Sequence, residues 1–98
     1  MNYLNSETRA KEFLIKNQFI IIANNVRWKK SEIDILCEKN NTIYAIEVKY
    51  RSNLSYFQIT NNQKLKIEEF MCANFQGQQW ELIIILVNKN SVSFQPLY

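Results

Sequence analysis

Glu32-Ile33-Asp34-Ile35-Leu36-Cys37, a polar break at Glu38-Lys39-Asn40-Asn41, and Thr42-Ile43-Tyr44-Ala45-Ile46-Glu47-Val48-Lys49 are the stretch on which the fold turns. Both runs alternate, and successive side chains of a strand point to opposite faces. Strict alternation puts Glu32 and Asp34 on one face of the first run and Ile33 and Ile35 on the other. In the second run Ile43, Ala45, Glu47 and Lys49 share a face, and Tyr44, Ile46 and Val48 share its opposite. The break between the runs reads as a hairpin turn. Asp34 is the chain's only aspartate, and 12 residues separate it from Glu47. A strand, a turn and a return strand cover that span, so the two carboxylates can meet at one end of a hairpin.

Towards the N-terminus, Arg27-Trp28-Lys29-Lys30-Ser31 reads as a polar connection, and Phe19 to Ala23 as a short strand broken by Asn24-Asn25. Ser6 is placed to cap a first helix from about Glu7 to Lys16. Ala10, Phe13 and Leu14 give that helix its apolar stripe. Beyond Lys49, Ser52 to Asn62 reads as a loop. A second helix follows from about Asn62 to Asn74, with Ile67, Phe70, Met71 and Phe75 as its buried stripe, stopped near Gly77. Trp80 to Val87 is apolar on both faces, the pattern of a central, doubly covered strand. After a turn at Asn88-Lys89-Asn90, Ser91 to Gln95 is a short last strand. The order is α-β-β-β-α-β-β, an α/β domain with a mixed, hairpin-rich sheet flanked by helices.

The 98 residues have room for one domain. A hydrophobic fraction of 47% and an aromatic fraction of 13% are those of a globular chain and argue against disorder. Cys37 and Cys72 are too few and too far apart for a disulfide scaffold or a zinc site. Each has an apolar neighbour, so buried free thiols are expected. Leu82 to Val87 is far too short to span a bilayer, and Met1 to Ser6 lacks the basic-then-apolar pattern of a secretory signal. Together these features favour the cytoplasm and no membrane partner.

Histidine is absent, which excludes imidazole bases and His-ligated metals. Chemistry must come from carboxylates, Lys, Arg, Tyr, Cys or hydroxyls. Two carboxylates a few ångströms apart are a hard-oxygen site suited to Mg²⁺ or Mn²⁺. Such an ion polarises a phosphodiester and lowers the pKa of a bound water. A neighbouring Lys can hold that water or stabilise charge in the transition state. The plainer alternative for the same residues is a surface Glu47–Lys49 ion pair with Asp34 in a turn, and the residues alone leave both open.

Ser31-Glu32-Ile33-Asp34-Ile35-Leu36 followed by Ala45-Ile46-Glu47-Val48-Lys49-Tyr50-Arg51 resembles the two motifs of the YraN-like bacterial family. That family is related to archaeal Holliday-junction resolvases and has the restriction-endonuclease-like PD-(D/E)XK fold. The likeness extends to Ser6-Glu7-Thr8-Arg9-Ala10 with Phe13-Leu14, to Asn25-Val26-Arg27, and to Lys64 with its helix. It implies that Asp34, Glu47 and Glu7 are metal ligands with the Val48 carbonyl as a further one. It also implies that Lys49 is the catalytic lysine beside Glu7, Asp34 and Glu47, that Mg²⁺ or Mn²⁺ is the cofactor, and that DNA is the substrate. A homodimer is implied too, because the resolvase relatives cut symmetrically. Ser6, Ser31 and Gln18 stand where the family tends to have glycine.

A formal charge of +3 and a pI of about 8.9 point weakly to a nucleic-acid partner. Arg27-Trp28-Lys29-Lys30 and Tyr50-Arg51 mix cations with aromatics, as phosphate contact with base stacking requires. Arg27, Trp28, Lys30, Arg51 and Lys64, with Lys66 beside it, are the candidate contacts. For Trp28, packing at the core edge is an equal reading, and Lys29 and Lys30 read as readily as a solvated loop. An enzyme acting on DNA and a non-catalytic nucleic-acid-binding module on the same fold both remain open at this level.

Overall fold

A computed structural model describes residues 3–51 and 59–95. Among these, α1 (Tyr3–Lys16) is followed by β1 (Ile20–Trp28), β2 (Ser31–Lys39), β3 (Thr42–Tyr50), α2 (Asn61–Asn74), β4 (Gln79–Val87) and β5 (Val92–Gln95). The strands form one sheet in the order β1-β2-β3-β4-β5. β3 and β4 run parallel with α2 crossing between them, and every other neighbouring pair is antiparallel. The expected element order and mixed sheet are both present. Most of the loop expected at Ser52 to Asn62 lies outside the described residues, and Asn61 and Asn62 already belong to α2.

The helices pack over two separate apolar clusters. Ala10 and Leu14 of α1 meet Ile35, Cys37, Ile46, Val48, Ile85 and Val87. Ile67, Phe70 and Met71 of α2 meet Ile33, Leu36, Ile43 and Ala45. Burying one such side chain contributes about 1.5–3 kcal/mol, so these layers make the sheet a rigid platform. Burial also pushes the Cys37 thiol up to about 12, leaving it an inert core residue. Cys72 departs from expectation and is exposed. It follows Met71 by one helical step, which turns it off the Ile67–Phe70–Met71 stripe.

Three further expectations change. Ser6 does not cap α1, because the helix starts earlier, at Tyr3. Ser6 lies four residues before Ala10 and so falls, fully buried, on the same stripe. β1 does not stop at Asn24-Asn25 but continues to Trp28, which pairs with Ser31. A register shift between Ile21 and Ala23 and a left-handed Asn25 (φ 55°) absorb the irregularity; Asn tolerates that conformation better than most residues. The central strand is β3, with β4 beside the edge strand β5. In β4 the deepest burial falls on Ile84, Ile85 and Val87 in its second half.

Both helix ends are built from local chemistry. Thr60 accepts a hydrogen bond from the Gln63 N–H at 3.1 Å, and the Gln63 side chain accepts one from the Thr60 N–H, a reciprocal cap at the start of α2. At the end of α1, Gln18 N–H donates to the Ile15 carbonyl at 2.9 Å and Phe19 N–H to that of Leu14 at 3.0 Å. This double closure requires a left-handed residue, and Gln18 fills the place at φ 71°. Lys39 Nζ donates to the Asn17 carbonyl at 2.8 Å, while Arg9 Nη1 reaches the Asn88 carbonyl at 2.6 Å. α1 is thereby tied to the β2–β3 end and to the β4–β5 turn. A side chain with a Cβ costs about 1 kcal/mol in the left-handed region, so Gln18→Gly is expected to raise the melting temperature by about 4–8 °C in a circular-dichroism melt. An unchanged or lower midpoint would show that the Gln18 side chain contributes contacts that offset the strain.

Candidate active site

The site arises where two strands part. β2 pairs with β3 from Lys39 opposite Thr42 up to Ile35 opposite Ile46, and the ladder goes no further. Ser31, Glu32 and Ile33 stay paired with β1 alone, and a two-stranded ribbon twists more strongly than a full sheet. The expected alternation breaks at this point. Ile33 joins the α2-side cluster and Ile35 the α1-side cluster, although they are two residues apart. Asp34 lies at the fork and turns its carboxylate to β3. There Oδ2 accepts the Val48 N–H at 2.8 Å.

Glu47 sits within hydrogen-bonding reach of Asp34. Both are nearly excluded from solvent, at 3% for Asp34 and 8% for Glu47. Burial first, then the hydrogen bond and negative charge of Asp34, push the Glu47 carboxyl up to about 8, with Lys49 opposing. The pair opens on a cleft of about 480 Å³ lined by Lys30, Glu32, Lys49, Gln63 and Lys66 among others. Glu32, which alternation puts on the Asp34 face, is on this wall, and its charge adds slightly to the rise at Glu47.

The other candidates divide. Glu7 is buried on α1, 5% exposed, and its Oε2 has no hydrogen-bond partner. It is not among the residues lining the cleft, and among the described residues no three acidic or thiol side chains are grouped to share a metal ion. Trp28 packs edge-on against Phe70 with centroids 5.5 Å apart. Its buried indole N–H has no partner at hydrogen-bond distance, yet lies near enough to Glu69 to help lower that carboxyl. The main cause there is Lys29, which bridges to Glu69 at 2.6 Å. Arg27 is exposed on β1, and Arg51 Nη1 donates to the Tyr50 carbonyl at 2.9 Å. Lys64 is exposed outside the cleft, whereas Lys66 lines it. Helical spacing holds that signal, since Gln63 and Lys66 flank the buried Ile67 on one side of α2 and Lys64 does not.

The family model for "Uncharacterised protein family UPF0102" matches residues 6–85. The chain belongs to this family. Among its relatives, a UPF0102 protein of Nitratiruptor sp. is 31% identical over 90% of this chain and 83% of the relative. Another, from Flavobacterium johnsoniae, is 40% identical over 90% of this chain and 81% of that one. Among solved structures, Hjc of Archaeoglobus fulgidus, a Holliday junction resolvase, superposes with a TM-score of 0.67 at 22% identity. The match covers 96% of this chain and 76% of Hjc. The UPF0102 chain therefore has the resolvase fold, as its two motifs implied.

The carboxylate pair also makes a stability prediction. Between its unfolded value of 4.5 and about 8, Glu47 holds in the folded state a proton that the unfolded chain has released. Stability from this group is full below the lower value and is lost as pH rises through the upper one. Metal-free protein should melt at a lower temperature at about pH 8.5 than at about pH 6, and Glu47→Gln should remove most of that difference. Equal pH dependence in the two proteins would show that Glu47 does not carry the buried proton.

Proposed function

We propose that this UPF0102 protein is a Mg²⁺- or Mn²⁺-dependent endonuclease acting on DNA, with branched or processed DNA as the substrate class. The observation that carries the reading is the buried Asp34–Glu47 pair beside Lys49 at the strand fork. Burying two carboxylates side by side costs several kcal/mol per charge unless a cation or proton offsets it. The donor set of oxygen ligands with no histidine fits a hard divalent ion. Asp34 and Glu47 would hold it, with the Val48 carbonyl as a further ligand. Glu7, by its orphaned oxygen and by the family likeness, is proposed as the additional acidic residue. Bound there, the cation supplies Lewis acidity towards the phosphodiester and a water of lowered pKa.

The chain's own residues supply the rest. Asp34 is fixed by the Val48 N–H, so its second oxygen is presented without rotational loss. Glu47 must release its proton to act as a ligand, so metal affinity rises with pH up to about 8. Lys49, at the cleft wall, sets a positive charge where the phosphate develops negative charge. The resolvase likeness supports branched DNA and a paired protomer as parts of the same proposal.

Cleavage of labelled duplex and four-way-junction DNA in Mg²⁺ or Mn²⁺ is the test. Asp34→Ala and Glu47→Ala should abolish cleavage with the circular-dichroism spectrum unchanged, and Lys49→Ala should lower the rate by about 10²–10³. Cleavage by Asp34→Ala at the wild-type rate would sink the proposal. Binding without cleavage in any divalent metal would identify a non-catalytic DNA-binding module on the nuclease fold.

A further inference from the structure

The molecule builds one kind of turn twice. β2 and β3 are joined by Asn40-Asn41 (φ 52° and 65°), and β1 and β2 by Lys29-Lys30 (φ 51° and 69°). Two-residue hairpins with both residues left-handed favour Asn, Asp or Gly. At the end remote from the cleft, the chain uses Asn twice. At the cleft it accepts two lysines, at about 1–2 kcal/mol of left-handed strain for each. Strain kept at one turn and avoided at its twin points to the side chains rather than the turn.

The two lysines do different things. Lys29 bridges to Glu69 on α2 at 2.6 Å, and beside it Trp28 packs on Phe70 of the same helix. These contacts clamp the hairpin tip to α2. Lys30 lines the cleft, as does Lys66 from α2, so the clamp fixes the relation of Lys30 to Lys66. Among the described residues neither has a carboxylate partner at ion-pair distance. Lys49 lies next to Glu47 on β3, whereas Lys30 and Lys66 come from the surrounding wall.

We propose that Lys30 and Lys66 form a phosphate clamp for the backbone adjoining the cleaved bond, so that the site takes a polynucleotide strand rather than a mononucleotide. This rests on the reading of the cleft as a phosphodiesterase site and adds a second phosphate position to it.

The experiment measures the affinity of a fluorescent single-stranded DNA of about 12 nucleotides in EDTA across a salt series. The proteins are wild type, Lys30→Asn, Lys66→Gln, the double variant and Lys64→Gln, with Mn²⁺ affinity measured separately on each protein in EDTA-free buffer. Lys30→Asn puts the residue of the twin turn in place, so the fold is kept and the melting temperature should not fall. Each single cleft variant should flatten the slope of log Kd against log salt by about 0.7, and the double variant by about twice that. Lys64→Gln should match wild type, and Mn²⁺ affinity should stay within about twofold throughout. An unchanged slope in the double variant, or an equal loss in Lys64→Gln, would overturn the clamp while intact Mn²⁺ binding left the metal site standing. Failure of wild type to bind either the DNA or Mn²⁺ would overturn the clamp and the phosphodiesterase reading together.

Discussion

The hydrogen bond from the Val48 N–H to Asp34 Oδ2, 2.8 Å long, is the interaction on which the rest of the site depends. When β2 leaves β3 beyond Ile35 and Ile46, the amide on the central strand faces a side with no strand to accept it. A buried amide left without an acceptor costs about 1–3 kcal/mol. Asp34 supplies the acceptor, so the backbone need of the sheet and the orientation of the carboxylate are met by one contact. The same contact bridges β2 and β3 where their backbone ladder has ended, beside Glu47.

The apolar layers explain why this fork is rigid. Ile46 and Val48 pack under α1, while Ile43 and Ala45 pack under α2. Glu47 therefore projects from a strand held on both faces. In such surroundings a second negative charge is strongly disfavoured, and the Glu47 carboxyl is raised towards the physiological range. A cation or a retained proton offsets that cost. Lys30, Lys49 and Lys66 set charge of the opposite sign on the wall around the carboxylate pair.

Much of this was legible in the chain. Alternation over Ile43–Lys49 predicts the face that holds Glu47, and counting across the Asn40-Asn41 turn puts Asp34 opposite it. The stripe of Ala10, Phe13 and Leu14 predicts the docked face of α1. What the sequence did not show follows from the tertiary path. Ile33 and Ile35 alternate perfectly as letters, yet they face different cores because the hairpin arm twists once it loses β3. Asn24-Asn25 reads as a break, but pairing to β2 carries the strand through it. Lys64 and Lys66 lie two residues apart and so on different sides of α2, a distinction that only the docking of Ile67 resolves. Gln18 was visible as a replacement for a usual glycine, and the backbone keeps the left-handed conformation that a glycine would adopt freely.

The measurement that tests the central claim most directly is a calorimetric titration of Mn²⁺ and Mg²⁺ into the wild-type protein and into Asp34→Ala at about pH 8, where Glu47 can release its proton. Saturable binding by wild type is expected, with its loss in Asp34→Ala while the protein stays folded. Equal binding by the two proteins would contradict the claim that the strand fork holds the metal.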